Sequence, residues 1–263
     1  MREPAHRPYQ GGDAAMAEDA WRMYFAEMGG LPASIVFNDG IAKRLGDLPL
    51  THAMKIRIPL KSPRGDGMTT REEAGPVNQL DETFDKIITA HGGEYLGRVT
   101  NNGVRWVLAL IPAGPRELEA ALNAAAAEAG YAADIHVEPD PEKAVYWQDL
   151  YPTEDDRQVM VDMEVQSALQ QQGDDPAKPR EIGHWIYFRE EAAAQAFAGW
   201  ARETGYRVDS VAPAQEAAPL WLVRMAHHGT LQLNDISGHS LTISRRAREG
   251  GGQYDGWETP VTV

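Results

Sequence analysis

The stretch Gly92-Gly93-Glu94-Tyr95-Leu96-Gly97 follows a helical pattern and leads into a strand-like segment. Glycine just past a helix end adopts the left-handed conformation that other residues resist, so this stretch marks a helix that turns directly into a strand. Gly251-Gly252-Gln253-Tyr254-Asp255-Gly256 has the same form near the C-terminus. Two further helix exits, at Gly130-Tyr131 and Gly205-Tyr206, share the form Gly-Tyr-x-x-Asp. Two halves with two such corners each indicate an internally duplicated architecture.

The hydrophobic pattern around these corners predicts strand, helix, strand, strand, helix and strand in each half. An additional hairpin, built from Trp21–Ala26 and Ser34–Asn38, precedes the first repeat. A strand-helix-strand unit that occurs twice, with helices on one face of an antiparallel sheet, is the ferredoxin-like sandwich. We therefore predict an α+β protein with two tandem ferredoxin-like α/β sandwiches. The expected divisions are a flexible tail (1–19), a first domain (20–152) and a second domain (153–263).

Three local signals predict where particular helices begin and which side faces inward. Gly75-Pro76 is expected to start the first helix, because proline is favoured in a first helical turn. Thr153, with Asp156 three residues later, resembles a capping box. The helix that follows should bury one apolar stripe, formed by Val161, Val165, Ala168 and Leu169.

Composition narrows the class of function. The net charge of −14 is spread evenly, with 15 basic against 22 acidic residues in 1–152 and 10 against 17 in 153–263. An acidic balance disfavours direct binding to nucleic acid, which relies on Lys and Arg, and suits docking on a basic partner. The chain has no cysteine, which excludes disulfides and thiolate chemistry. Without a long apolar run or a signal-peptide pattern, we expect a cytoplasmic protein that does not enter a membrane.

The histidines offer no obvious catalytic or metal site. His227 and His228 are neighbours, and adjacent residues on a strand face opposite ways, so the two imidazoles are a poor metal site. We interpret them as part of a solvated loop. His184 opens a strand and is expected at the surface or at a sheet edge. His239 has no ligand-spaced neighbour in the sequence. We predict no catalytic residue, no metal ligand and no cofactor.

Two acidic pairs and one basic cluster have structural interpretations. Asp155-Asp156 falls in a first helical turn and Asp174-Asp175 in a turn, where acidic residues are favoured. The arginines near the end of the last helix complement its dipole; the alternative is a small phosphate-contact patch. These arginines are Arg245, Arg246 and Arg248.

The segment Tyr254-Asp255-Gly256-Trp257-Glu258 is the densest in chemical information. Strict alternation along a strand predicts that Tyr254 and Gly256 face one way and that Asp255 and Trp257 face the other. One interpretation is a core aromatic pair with an acid at the sheet edge. The other is that an exposed Trp257 forms a hot spot for a partner.

The second half resembles the bacterial regulator of ribonuclease E activity B family over about residues 155–260. The resemblance lies in Glu181–Phe188, Gly205-Tyr206-Arg207-Val208 and above all Tyr254–Glu258. It implies a non-catalytic ferredoxin-like protein that binds and inhibits an endoribonuclease. The last helix differs from the family's leucine-rich, acidic one, since Ser237–Arg248 contains Ser, Thr and Arg. On this basis the partner-binding residues are predicted to be Trp185, Tyr254, Asp255, Trp257 and Glu258.

The first half is similar to the family of unknown function 695. The similarity is carried by Trp21-Arg22-Met23-Tyr24, the Gly92–Gly97 corner and Tyr146-Trp147-Gln148-Asp149. This resemblance implies a fold and no activity.

Together these observations favour a regulatory, protein-binding role, with a ribonuclease E-type endoribonuclease as the candidate partner. The alternative is a small-molecule sensor with a ligand site at the domain junction. Homodimerisation is a further alternative, because ferredoxin-like sheets often pair through an edge or a face.

Overall fold

A computed structural model describes residues 19–114, 116–214 and 220–262. The chain separates between Tyr151 and Pro152 into two compact units, which we call unit 1 and unit 2. The predicted flexible tail lies outside the described residues except for Asp19. Over the described ranges, no helix is both long enough and apolar enough to cross a membrane.

The described part of unit 1 folds around one antiparallel sheet in the order β1-β2-β4-β5-β3-β6. The last four strands of that order, with α1 and α2 on one face, form a ferredoxin-like sandwich, and β1 and β2 extend it as the predicted hairpin. The elements are β1 (Trp21–Met28), β2 (Leu31–Asn38), β3 (His52–Pro59), α1 (Arg71–Ala90), β4 (Glu94–Asn101), β5 (Val104–Ile111), α2 (Arg116–Glu128), β6 (Asp134–Pro139) and α3 (Ala144–Asp149).

The short helix α3 lies in the segment that the sequence indicated only as a connection. Its Tyr146 is fully buried and donates from its hydroxyl to the Asn38 carbonyl over 2.9 Å. Tyr24 of β1 donates in the same way to the Leu150 carbonyl over 3.0 Å. These two bonds attach the C-terminal end of unit 1 to its N-terminal hairpin.

The predicted start of α1 at Gly75-Pro76 is wrong by about one turn, since the helix begins at Arg71. Thr70 precedes it in extended conformation, and the Glu73 carboxylate accepts the backbone N–H groups of Lys61 and Ser62 at 2.6 and 2.9 Å. Pro76 therefore lies inside the helix. There it cannot donate an N–H to the Glu72 carbonyl, and its ring crowds that carbonyl. The sequence also predicts that Gly114-Pro115 opens α2, and Pro115 lies outside the described residues.

Unit 2 has the strand order β10-β7-β9-β8, and all neighbouring strands are antiparallel. This is the order of a ferredoxin-like sandwich, so the predicted fold class is confirmed in both halves. The elements are α4 (Glu154–Gln171), β7 (Arg180–Phe188), α5 (Glu191–Glu203), β8 (Arg207–Pro213), β9 (Trp221–Gly229), α6 (Leu233–Glu249) and β10 (Gln253–Glu258).

The core of unit 2 lies between the sheet and its helices. Phe188 of β7 packs with Phe197 of α5 and Ile243 of α6. The first helix, α4, begins with the predicted capping box: Thr153 Oγ1 accepts the Asp156 N–H over 3.1 Å, and the Asp156 carboxylate accepts the Thr153 N–H over 2.9 Å.

The predicted inner stripe of α4 is wrong in part. Val165 and Leu169 pack against the core, but Val161 is 42% exposed, Ala168 is also exposed, and Asp162 is fully buried instead. The inner face therefore includes a carboxylate that a hydrophobic pattern assigns to the outside.

The repeated Gly-Gly-x-Tyr-x-Gly stretch has the same local structure in both units. In β4 the register with β5 shifts between Tyr95 and Gly97, and in β10 the register with β7 shifts between Tyr254 and Gly256. Each shift is a β-bulge, in which one extra residue lies in one strand. The last glycine of the stretch has φ of +153° in β4 (Gly97) and +128° in β10 (Gly256), a conformation that glycine adopts readily.

Candidate functional site

The sheet of unit 2 has one face covered by helices and one face without a described helix of this unit. Along β7 the side chains of Ile182, His184 and Ile186 are buried under the helices, and Trp185 points to the other side. We call that other side the open face. It carries Glu181, Trp185, Arg207, Asp209, Arg224 and Glu258.

A groove of about 390 Å³ crosses the open face beside Trp185. Arg224 lies directly opposite Trp185 on the neighbouring strand β9. Its guanidinium carbon lies 5.6 Å from the centre of the Trp185 ring. Gly183 leaves room for this indole, since a Cβ atom at position 183 would lie 3.0 Å from it. The groove thus presents an aromatic ring with a cation against its face.

Exposed ion pairs lie along one side of the groove. Arg207 bonds to both Glu181 and Asp209, the latter at 2.7 Å. The hydrogen bond from Arg207 lowers the pKa of Glu181 below its ordinary value, and the hydrogen bond to Glu181 raises the pKa of Arg207. Glu181 and Arg207 are therefore charged at neutral pH. Because they are exposed, a partner can rearrange them at small cost.

Tyr254 and Trp257 of β10 lie on the same face of the sheet, whereas strict alternation predicted opposite faces. The bulge makes Asp255 an extra residue, so Tyr254 lies opposite Ile186 and Trp257 lies opposite His184. Tyr254 and Trp257 consequently both point under the helices, and Trp257 is only 7% exposed.

Of the five predicted partner-binding residues, the structure brings Trp185 and Glu258 together in the groove. Asp255 is exposed on the edge strand. Tyr254 and Trp257 lie in the interior, which agrees with the core interpretation of this aromatic pair.

The structure also gathers three histidines and two tyrosines under the helices of unit 2. His184 Nδ1 lies 2.7 Å from the Tyr254 hydroxyl, and its Nε2 lies 2.8 Å from Nδ1 of His227. His227 stacks on His239 of α6 with ring centres 3.7 Å apart, and His239 Nδ1 lies 2.8 Å from the Tyr206 hydroxyl. We call these five residues the histidine cluster.

Two expectations for these histidines are wrong, since His184 is fully buried and His227 lies inside strand β9. His239, which has no ligand-spaced neighbour in the sequence, has aromatic neighbours in the fold. A signal for His184 existed in the sequence, because it alternates with Ile182 and Ile186 on one side of the predicted strand. No comparable pattern in the sequence indicated that β7, β9 and α6 bring His184, His227 and His239 together.

Burial makes the histidine cluster resist protonation. It lowers the pKa of His184 well below the ordinary value, and burial with the nearby His239 lowers the pKa of His227 to about 4. Burial also lowers the pKa of His239, against an opposing effect of Asp235. The three rings are therefore neutral at pH 7. No group of three or more His, Cys, Asp or Glu residues in the described ranges has the arrangement of a metal site.

The carboxylate of Asp162 forms a second polar centre in unit 2. It accepts hydrogen bonds from Trp257 Nε1 at 2.8 Å, Ser237 Oγ at 2.9 Å and Ser240 Oγ at 2.5 Å, and from Gln158 at 3.0 Å. The serines of α6, which depart from a leucine-rich helix, thus attach α6 to α4.

The basic cluster of α6 is paired with acids of α4. Arg245 and Arg248 both bond to Asp155, at 2.7 and 2.6 Å, and Arg248 also reaches Glu154 at 2.8 Å. Arg246 pairs with Glu249. This pairing opposes the alternative of a phosphate-contact patch.

The pair Asp174-Asp175 has structural contacts. Asp174 is buried against Arg180 and accepts the Thr262 N–H at 2.7 Å. Asp175 accepts the Ala177 N–H within its own turn at 3.0 Å, as the structural interpretation predicted.

Fold and site together define a tandem ferredoxin-like protein with an open, aromatic-bearing sheet face. The chain belongs to the family of unknown function DUF695, whose model matches residues 19–151. Residues 160–259 match the family described as regulator of ribonuclease activity B. Both predicted resemblances are confirmed.

No curated protein matches the chain. Two solved structures are similar with a TM-score of 0.22 each, and each match covers 81% of this chain and 99% of the other. One is an unknown protein from Galdieria sulphuraria at 15% identity, and the other a putative glycine cleavage system transcriptional repressor at 7%. At these values neither structure informs the function.

Proposed function

We propose that this chain is a non-catalytic regulatory protein of the cytoplasm and that residues 153–263 form its partner-binding domain. The observation that carries the proposal is the groove on the open face, where Trp185 and Arg224 stack beside exposed ion pairs. The match to regulator of ribonuclease activity B supports an endoribonuclease of the ribonuclease E type as the partner. Residues 20–152 form a separate domain under this proposal.

The chemistry of the open face suits a protein surface. Tryptophan and arginine are enriched among residues that dominate binding energy, particularly where a rim of other side chains excludes water. Here the rim consists of charged groups, among them Glu181, Asp209 and Glu258. Arg207 is already paired with two acids, and the acids of the open face outnumber its two arginines, so the face is unfavourable for a phosphate backbone. A partner that brings basic and apolar side chains complements it.

The test measures binding of the full-length chain to the purified catalytic domain of a ribonuclease E-type enzyme by calorimetry. Trp185→Ala should weaken binding about tenfold or more, because a stacked anchor is removed. Trp147→Ala in α3 is the matched control, since Trp147 is another partly exposed tryptophan and belongs to unit 1. It should leave binding unchanged.

A cleavage assay with the same enzyme supplies the functional readout. The wild-type chain should slow cleavage of a labelled RNA, and Trp185→Ala should do so only at about tenfold higher concentration or above. The proposal is contradicted if the wild-type chain does not bind this enzyme, or if the two tryptophan variants behave alike.

A further inference from the structure

The outer strand of unit 1, β1, carries an exposed apolar row. Trp21, Met23 and Phe25 alternate onto one face of the strand, and they are 44%, 47% and 47% exposed. The ring of Trp21 lies 5.6 Å from that of Tyr95, which belongs to the core under α1, so the row is on the α1 side of the sheet. Large apolar side chains in a row on a sheet edge are characteristic of an interaction surface.

The backbone of the same three residues faces away from the sheet. The hairpin closes across Gly29-Gly30, and its last pair, Met28 with Leu31, is the bonded pair of the turn. Along an antiparallel pair of strands, residue pairs that exchange backbone hydrogen bonds alternate with pairs that do not. Counting from Met28, the even-numbered residues of β1 therefore form the backbone hydrogen bonds to β2. The backbone N–H and C=O groups of Trp21, Met23 and Phe25 therefore point away from β2, towards the outer edge of the sheet. Among the strands that the structure describes, β1 has a partner only in β2.

This edge has few of the features that prevent pairing. Proteins protect edge strands with charged side chains, above all lysine, with proline or with a bulge. The strand WRMYFAEM contains neither lysine nor proline, its charged residues Arg22 and Glu27 lie outside the apolar row, and its register with β2 runs without a shift over all eight residues. The edge is therefore straight and competent to accept another strand.

We propose that β1 pairs antiparallel with β1 of a second copy of this chain, about a twofold axis at Met23. In this register Trp21 lies opposite the partner's Phe25, and Met23 lies opposite the partner's Met23. Three bonded pairs supply about six backbone hydrogen bonds, because each bonded pair makes two. The two sheets then form one continuous sheet across the dimer.

The register selects a second copy over an unrelated strand, because the row is complementary to itself. All three apolar side chains of each chain meet apolar side chains of the other. A twofold axis at Tyr24 would use the same outward-facing backbone groups, but it would place Trp21 opposite the partner's Glu27. Only the axis at Met23 places all three apolar side chains opposite apolar side chains.

Sedimentation of the full-length chain over a wide concentration range tests the dimer. The wild type should associate reversibly, whereas Met23→Lys should remain a monomer because two lysines would meet at the axis. Met28→Lys is the matched control: Met28 is 41% exposed on the same strand but lies beyond the paired segment. It should dimerise like the wild type, and circular dichroism should show all three proteins folded.

Cross-linking gives an independent readout, since the chain has no cysteine of its own. Met23→Cys should form a disulfide-linked dimer under mild oxidation, because directly opposite strand residues lie within disulfide reach. Met28→Cys should cross-link far less. A monomeric wild type, a dimeric Met23→Lys, or equal cross-linking of the two cysteine variants would each overturn the proposal.

Discussion

The indole nitrogen of Trp257 donates to the carboxylate of Asp162 over 2.8 Å in the interior of unit 2. This bond joins β10 to α4, which lie at opposite ends of the second half of the sequence. Ser237 and Ser240 of α6 donate to the same carboxylate. A single buried acid thus holds two helices and the last strand together.

Replacing this acid should destabilise unit 2 strongly. Asp162→Ala leaves the buried donors of Trp257 and Ser237 without an acceptor and Ser240 with only the Ser237 carbonyl at 3.3 Å, and each unsatisfied donor costs about 1–3 kcal/mol. We expect the free energy of unfolding in urea to fall by about 3 kcal/mol or more. Val161→Ala, at the exposed neighbouring position, should change it by about 0.5 kcal/mol or less. Similar losses for the two variants would show that the Asp162 bonds do not stabilise the fold.

The histidine cluster should make stability depend on pH. Its lowered pKa values mean that the folded state stays neutral while the unfolded state takes up protons near pH 6.5. Stability is therefore complete above about pH 6.5 and decreases as the pH falls towards about 4, by at most about 1.4 kcal/mol per pH unit for each histidine. Urea unfolding at a series of pH values measures this slope.

The variant His227→Phe should reduce that slope, because one titrating ring is removed from the cluster. His228→Phe is the control, since His228 is the adjacent residue and is exposed. If both variants keep the wild-type slope between pH 6.5 and 4, the acid sensitivity arises elsewhere, for example from carboxylates.

The two bulge glycines should differ in their tolerance of a side chain. A Cβ atom on Gly97 would lie 2.3 Å from the Val36 carbonyl oxygen, whereas one on Gly256 would meet nothing within 4 Å. Gly97→Ala should therefore cost about 3 kcal/mol or more, from backbone strain and from separation of β2 and β4. Gly256→Ala should cost only the strain, about 1–2 kcal/mol. Equal losses in thermal or urea unfolding would contradict this assignment.

Removing Asp155 should expose positive charge on α6. Asp155→Ala removes the ion-pair partner of Arg245 and leaves Arg248 paired with Glu154. We expect weak, salt-dependent binding of a labelled single-stranded RNA by this variant, measured by fluorescence anisotropy, and none by the wild type. Glu203→Ala removes the same charge from α5 and should not create binding. RNA binding by the wild type would contradict the proposed role of the pairing.

Much of the fold could be predicted because its signals are local. Glycines such as Gly92 and Gly205 adopt positive φ at helix ends, and this preference belongs to the residue itself. The hairpin turn at Asn102-Gly103 is equally local. Such signals, together with the periodic spacing of the apolar side chains, were sufficient to predict both ferredoxin-like sandwiches.

The candidate site was less accessible to prediction. Trp185 and Glu258 were predicted and do meet in the groove, but Arg224 and Arg207 were missed, because only strand pairing brings β8 and β9 beside β7. Tyr254 was assigned to a different face from Trp257, since alternation cannot reveal a bulge.

The sequence by itself determined the order of helices and strands within the two sandwiches, the helix exits and the acidic balance, since each depends on a residue and its near neighbours. Only the tertiary structure decided that Asp162 and His184 are interior residues. A polar side chain can be buried only where donors or acceptors from other segments replace water, and those segments are distant in the chain. Their positions become defined when the sheet and its helices pack together.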